Sequence, residues 1–536
     1  MRTFESVKLQ PFRAKFPQIG PQFDNRSSAL LAAEHYGTAH HRKVTSARLR
    51  VLIWILGMMV LPLSSFAQSQ GQSSAPGSPR VIRVAGWTVS GSLRLRFEDW
   101  DFFKARSGDN SYGYGASLLR VSAGRQFRSH DWLFELAQPW LIGLPADAVA
   151  PAPQGQLGFG ATYYAANPDR TVGIFLKQAF VRLKGLAGDQ ASTLRIGRFE
   201  FGDGLELNPE GPLGAVVRDR IANRMIGNFG FTHVMRSLDG IHFSRGASNS
   251  NFTFLAARPT EGVFQVKGMK ELNIEMVYGA WSKIHRSVGE GEGRIFGTYY
   301  HDGRDVLKTD VRPLTIRAQD HEAISIATIG GNYVNVFSLG TGKTDVLFWA
   351  AIQSGTWGTA THRANAFAAE GGYQWNNLQL KPWIRGGYFR GSGDDDPTGR
   401  THGTFFQELP TPRPFARFPL YNLMNNEDGF AQLTLTPYRK LILRTEAHSL
   451  NLANARDLWY IGGGAFQKET FGFTGRPSGG AKPFADVFDL SADYEFDPQT
   501  TFTFYIAHAS GKAVIRSIYP GGPNANFAYA ELNRRF

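Results

Sequence analysis

Between Gly429 and His448 apolar and polar side chains alternate one by one. Ala431, Leu433 and Leu435 are interleaved with Gln432, Thr434 and Thr436. Past a turn at Pro437 to Arg439, Leu441, Leu443 and Ala447 take the phase opposite to Lys440, Arg444, Glu446 and His448. Side chains on a strand point to opposite faces with period two, so this stretch reads as a hairpin with one oily and one polar face. The oily face meets either a soluble core or lipid, and in the second case the polar face lines water.

The same period recurs from Gly86 onward and predicts strands at 87–98, 113–127, 131–141, 174–184, 193–201, 238–246, 251–258, 272–283, 293–301, 321–338, 344–354, 363–375, 378–391, 428–437, 440–451, 484–496, 500–510 and 526–536, eighteen in all. Their connections sort by parity. The even-numbered ones, such as 128–130 and 497–499, are short, and the odd-numbered ones, such as 142–173, 202–237, 392–427 and 452–483, are mostly long. A soluble sandwich has no reason for such sorting. A transmembrane barrel with short periplasmic turns, long extracellular loops and an even strand count does. Lipid offers no partner to an exposed N–H or C=O, so the sheet must close. Phe536, in phase with Leu532, Ala530 and Ala528, resembles the last strand of outer-membrane proteins, with Arg534 where an apolar residue is usual. The fold class is therefore all-β, a single 18-stranded antiparallel transmembrane β-barrel over residues 87–536.

Composition agrees: 60 glycines, 13% aromatic and 19% charged residues among 536, with a mean hydropathy of −0.26 that is too polar for a helical membrane protein. The strongly apolar run Val51 to Leu63 is too short to span a bilayer as a helix. It follows Arg42, Lys43, Arg48 and Arg50 and precedes Ser64-Ser65-Phe66-Ala67, the order of a secretory signal peptide with cleavage after Ala67. Residues 1–67 thus read as a signal preceded by an over-long N-terminal extension, with Val44 as an alternative start, and 68–86 as a disordered polar leader (QSQGQSSAPGSP at its head). The net charge of +13 falls to about +7 without residues 1–67, which carry nine basic and three acidic residues (13 − 6). With no cysteine there is neither a disulfide framework nor thiolate chemistry.

Three stretches resemble the alginate-export family of outer-membrane β-barrels: Leu194 to Gly204 (LRIGRFEFGDG), Ser392 to Asp396 followed by Gly403 to Pro412 (SGDDD, GTFFQELPTP), and Asp457 to Phe466 (DLWYIGGGAF). The likeness runs roughly from Trp87 to Phe536. It implies an eighteen-stranded barrel whose arginine-rich lumen lets an anionic polysaccharide leave the cell. The characterised alginate exporter closes its periplasmic end with a long turn late in the chain. Every even-numbered connection here is short, so a plug is expected from an extracellular loop.

With oily faces outward, Arg94, Arg96, Arg120, Arg444, Lys440 and His448 enter the lumen. Arg182, Arg195, Arg198, Arg385 and Arg390 join them, although Gly197 leaves the phase of its strand open, since Ile196 and Phe199 cannot share a face without a bulge. Guanidinium donates two parallel hydrogen bonds to a carboxylate and keeps its proton, so a ring of such groups selects anions. The alternative is that these arginines pair with Glu98, Glu135, Glu446, Asp489 and Asp493 and merely solvate the lumen. In loop 202–237, Val217, Ile221 and Met225 form a helical stripe with Arg218, Arg220 and Arg224 off it: either an inward helix that constricts the pore or an external cap. Asp394-Asp395-Asp396 reads as a solvated acidic tip or a calcium site, without the ligand spacing of a known one. Loop aromatics (Tyr163, Tyr164, Phe405, Phe406, Phe415, Tyr421, Trp459, Tyr460) stack on sugars or pack within the loops. No nucleophile and base fall on neighbouring strands.

The sequence therefore leads to a monomeric outer-membrane channel, not an enzyme, without cofactor or metal. Its expected partners are an anionic polysaccharide or small organic anions, outer-membrane lipid and periplasmic export machinery, and no nucleic acid. A passive uptake porin for small organic anions is the alternative, and an outer-membrane hydrolase a weaker one.

Overall fold

The computed structural model describes residues 82–536 apart from 210, 248, 397–399, 412–416 and 419–421. Eighteen strands follow in sequence order: β1 Trp87–Asp101, β2 Ser111–Gln126, β3 His130–Ile142, β4 Phe175–Lys184, β5 Ser192–Phe199, β6 Leu238–Gly246, β7 Ser250–Pro259, β8 Ile274–His285, β9 Glu290–Asp302, β10 Ile324–Leu339, β11 Gly342–Trp357, β12 Ala360–Trp375, β13 Trp383–Gly391, β14 Asn426–Tyr438, β15 Leu441–Asn451, β16 Pro483–Asp497, β17 Thr500–Gly511 and β18 Asn524–Arg535. Each pairs antiparallel with the next, and β18 returns to β1 with Ser92 opposite Arg535 and Asp101 opposite Asn526. The sheet is a closed 18-stranded barrel, with strand ends within a few residues of the sequence reading.

Beyond the last ladder pair, the N–H of Gly91 donates to Phe536 O and the N–H of Phe536 to Gly91 O, both at 2.9 Å. A Cβ on Gly91 would stand 2.5 Å from the Phe536 ring, so the seam needs glycine there. Order also starts before Trp87: Ile82–Val84, inside the stretch read as leader, pairs with Trp87 to Val89. The signal and residues 68–81 of the leader lie outside the described residues.

The outer face is oily. Ile329 and Ile352 oppose each other across β10 and β11 and are 63% and 64% exposed, as befits lipid contact in mid-barrel. Leu136, Trp140, Ile295, Phe348, Ile384 and Phe488 continue the band. No described helix is long and apolar enough to cross a membrane; the crossing elements are strands.

One connection departs from the parity pattern. The expected connection 355–362 is a two-residue turn, because β11 and β12 run on to Trp357 and Ala360, and Thr401–His402 pairs in parallel with Thr361 and His362. The long loops at this extracellular end supply what the sheet lacks, an apolar core. They carry helix α1 (Phe159–Ala166), helix α2 (Pro212–Asp219), helix α3 (Ala513–Ile518) and a separate hairpin, Leu458–Ile461 with Thr474–Pro477. Tyr163, Phe405, Phe406, Trp459 and Tyr460 are buried in that core, so these rings pack and do not stand ready for sugars; Phe415 and Tyr421 lie outside the described residues.

Candidate functional site

Two extracellular loops enter the barrel. In loop 200–237, Pro212 opens α2 and the predicted stripe is wholly buried, with Val217, Ile221 and Met225 fully covered. The helix ends at Asp219, before Ile221, yet the next turns keep the stripe facing the core. That puts Arg220 and Arg224 against the inner wall. Both donate to Glu370 on β12, Arg220 also at 3.3 Å to the second oxygen and Arg224 at 3.2 Å, while Arg385 on β13 reaches the same carboxylate at 3.1 Å and Asp345 at 2.9 Å. Their guanidinium carbons lie over Phe430 (4.5 Å) and Trp349 (5.1 Å). Arg218 caps Leu207 O at 2.6 Å and bonds Asp219 at 3.1 Å. Two residues of the loop, Arg220 and Arg224, thus touch a lumen-facing side chain, as the inward course of this loop requires and an external cap does not.

The far end of the loop is held by β1. Arg94 donates to the carbonyls of Gly230 (2.6 Å) and Thr232, and Arg96 to Phe231 O at 2.7 Å, with its guanidinium over the Phe231 ring at 3.7 Å. Arg96 also pairs with Glu98 (3.2 Å) and Glu531 (2.6 Å). Arg120 joins Glu135 (2.9 Å) and Glu200 (2.7 Å). Of the expected partners, Glu98 and Glu135 are thus used, Glu446 lies 3.8 Å from Arg444, Asp489 accepts from Tyr505 at 2.9 Å, and Asp493 faces Arg417 at 3.3 Å.

Loop 392–425 then threads beside loop 200–237. Leu409 bridges Ile226 in parallel, Gly227 N–H donates to Leu409 O at 2.6 Å, and Gln407 donates to Arg224 O at 3.0 Å. Gln353 on β11 clamps Phe406 by exchanging bonds with its N–H and carbonyl, at 2.8 and 2.9 Å. Glu408 accepts from Thr298 and from Thr328 (3.0 Å), and burial raises its carboxyl from the ordinary 4.5 to about 7.

Alternation corrects three assignments. Arg198 shares the outer face with Ile196 and Ile241 and pairs there with Asp239 at 2.6 Å. Gly197 adopts φ of 127° with no register shift, and a Cβ on it would lie 2.3 Å from Ala179 O, so Ile196 faces out and Phe199 in without a bulge. Arg390 stands outside with Ile384 and Tyr388 and pairs with Glu427 at 3.2 Å. Lys440 belongs to a periplasmic turn, where its ammonium donates to Phe496 O at 2.8 Å. His448 is inside, buried at 2.9 Å from Asp428.

What stays open to water in the lumen lies on the periplasmic side of the plug. Arg182 and Lys184 flank Asp131 near the ends of β4 and β3, and Arg195 rests on His242 at 2.8 Å. Across the lumen Arg444, beside Glu446, and Arg417 of loop 392–425, beside Asp493, keep partly exposed side chains. Alternation alone foretells Arg294, the neighbour of outward Ile295, which is buried beside Asp203 (3.3 Å) and Glu206 (3.6 Å). Glu370, in register with inward Ala366 and Ala368, was equally foreseeable. Arg417 and Lys177, the latter bonded to Arg236 O (2.7 Å) and Glu200 (3.2 Å), carry no such signal. Among the described residues no cluster of three or more acidic or histidine side chains is placed to hold a metal. Asp394 instead turns its carboxylate to Asp396 N–H at 3.1 Å.

A closed strand barrel with an oily outer band and a charged, loop-plugged lumen is an outer-membrane channel, and that is where the protein resides. Residues 173–517 match the alginate export family model, and the chain belongs to that family. Among solved structures it is similar to OccAB1 of Acinetobacter baumannii (11% identity, 84% of this chain and 97% of that one, TM-score 0.50) and to OccAB4 of the same organism (9%, 84% and 98%, 0.50). The outer membrane protein OpdK of Pseudomonas aeruginosa follows at 9% identity, 84% and 98% coverage and a TM-score of 0.48. At such identities the likeness concerns the fold alone. No curated protein matches the chain. Fold and family are those of a non-enzymatic channel.

Proposed function

We propose that the channel passes an anionic polysaccharide outward by electrostatic facilitation. The observation that carries this reading is the division of labour among the inward cations. Arg94, Arg96, Arg120, Arg220, Arg224 and Arg385 are tied to wall and plug, whereas Arg182, Lys184, Arg195 and Arg444 line a periplasmic vestibule with Asp131 and Glu446 as nearby acids. Such a vestibule gathers a polyanion before it meets the plug, and the plug then shifts for it to pass. The second reading, uptake of small organic anions, draws on the tightness of the plug: Ile221, Met225, Phe405 and Phe406 are all fully covered, which leaves narrow ways past it.

Polymer length separates the two. In a planar bilayer an oligouronate of ten or more sugars should block the current at lower concentration than the monomer, and Arg182→Gln with Arg444→Gln should weaken that block. Equal block by monomer and oligomer points to the small-anion porin. No block by either removes the anion reading.

A further inference from the structure

At the extracellular mouth, loop 303–323 meets the hairpin Leu458–Ile461/Thr474–Pro477, with the Thr309 hydroxyl donating to Phe473 O at 2.8 Å. Between them lies a cavity of about 420 Å³. None of its lining residues belongs to the two loops that plug the lumen, so it is a separate place on the molecule. Its size falls in the range that holds one small ligand.

The charges around it are arranged unequally. Arg312 is matched by Asp310 (2.9 Å) and Asp320 (2.8 Å), and Lys308 by Asp320 (3.5 Å). Arg317 is not matched: its Nε donates to Arg312 O and its Nη1 to Lys308 O, both at 2.9 Å, and both acceptors are neutral carbonyls. Two such bonds fix the plane of the guanidinium and leave its charge uncompensated. Among the described residues its Nη2 has no partner, and Arg317 lines the cavity. The facing wall is apolar at Leu458 and Pro477, with Thr474 at its rim, while the Phe473 ring is turned into the loop core against Phe406, Phe466 and Phe471. A Cβ on Gly475 would stand 2.3 Å from Leu458 Cδ1 and 3.0 Å from Thr309 Cγ2, so the hairpin and loop 303–323 approach closely there.

A fixed, uncompensated guanidinium facing an apolar wall with hydroxyls at its rim suits a ligand that carries one carboxylate, one C–H-rich face and several hydroxyl groups. We infer that this cavity is an exit-side binding site for a carboxylated sugar, its carboxylate on Arg317 and its ring against Leu458 and Pro477. The inference rests on the anionic-polysaccharide reading, which supplies the sugar class, but it concerns a different part of the molecule.

The test uses the full chain in detergent micelles, with a glucuronate-containing disaccharide and its neutral glucose counterpart as probes in calorimetric titration. The acidic probe should bind and the neutral one about tenfold more weakly. Arg317→Gln should abolish the difference, and Arg317→Lys should restore part of it. Thr474→Trp, which fills the mouth of the cavity from an exposed position, should block both probes without changing the heat-dependent gel mobility that reports the folded barrel. Undiminished acidic-probe binding in Arg317→Gln would overturn the site and locate binding in the lumen. Equal binding of the two probes would overturn the carboxylate assignment. If neither probe binds while a long oligouronate still blocks the current, the cavity assignment fails and the pore reading stands; if the block is absent too, both fail.

Discussion

Glu370 shows what one residue does when it is shared. Three guanidinium groups, from Arg220, Arg224 and Arg385, converge on its carboxylate from one strand and one loop. Removing one partner of a buried ion pair leaves its charges uncompensated and costs about 3–5 kcal/mol. Glu370→Gln should lower the temperature at which the folded band converts to the unfolded one on a gel, and should raise current noise in a planar bilayer as loop 200–237 comes loose. Glu408 adds a pH dependence of known sign. Its carboxyl titrates near 7 when folded and near 4.5 when exposed, so the folded state favours the protonated form. The stability it contributes is complete below about pH 4.5 and is lost as pH climbs through 7. The gel-shift midpoint should therefore fall between pH 5 and pH 8 more steeply in the wild type than in Glu408→Gln.

At the scale of the element, each strand divides its residues between lipid and lumen, and the division can be tested one side chain at a time. Ile352 sits mid-strand on the outer face, directly opposite Ile329. Ile352→Arg should cost roughly 2–4 kcal/mol of membrane stability, read as lost assembly in urea titrations in lipid, whereas Gln353 next to it tolerates only changes that keep its two bonds to Phe406. Alternation of this kind made all eighteen strands legible in the sequence. It was harder to follow through glycines, although the period runs on unshifted and sets Arg195 and Arg198, like Arg385 and Arg390, on opposite faces. Gly386-Gly387 between Arg385 and Arg390, and Gly197 between Arg195 and Arg198, offer no side chain by which to keep count, and the two second arginines turned out on the lipid side. The inward course of loop 200–237 was half legible: its apolar stripe announced burial, but Glu370 lies well over a hundred residues away in sequence and nothing local names it as the partner.

For the molecule as a whole, the ties between plug and wall alter what charge removal does. Arg94, Arg96 and Arg120 hold loop 200–237 by its backbone carbonyls and by Glu200. The triple change to Gln should therefore both lower anion preference and raise conductance, since the loop is released along with the charge. Arg182→Gln with Arg444→Gln touches only the vestibule. It should lower anion preference at unchanged single-channel conductance and gel mobility, and the difference should shrink near 1 M salt, where screening falls to about 3 Å. Unchanged ion selectivity in both sets would end the arginine-based mechanism while leaving the barrel in place.

Loop 200–237 rises between β5 and β6, is pinned to β1 near Phe231 and to β12 through Arg220 and Arg224. Those anchorages stand on well-separated sectors of the ring. In a builder's terms the loop is a tie-beam, and the barrel a hoop that has no spokes besides its loops. A wide, thin hoop under side pressure flattens first along its unbraced diameter. Squeezing this one loads the beam, and moving the beam changes the roundness of the hoop. The width of the passage and the lateral pressure of the surrounding bilayer are thus mechanically geared to each other.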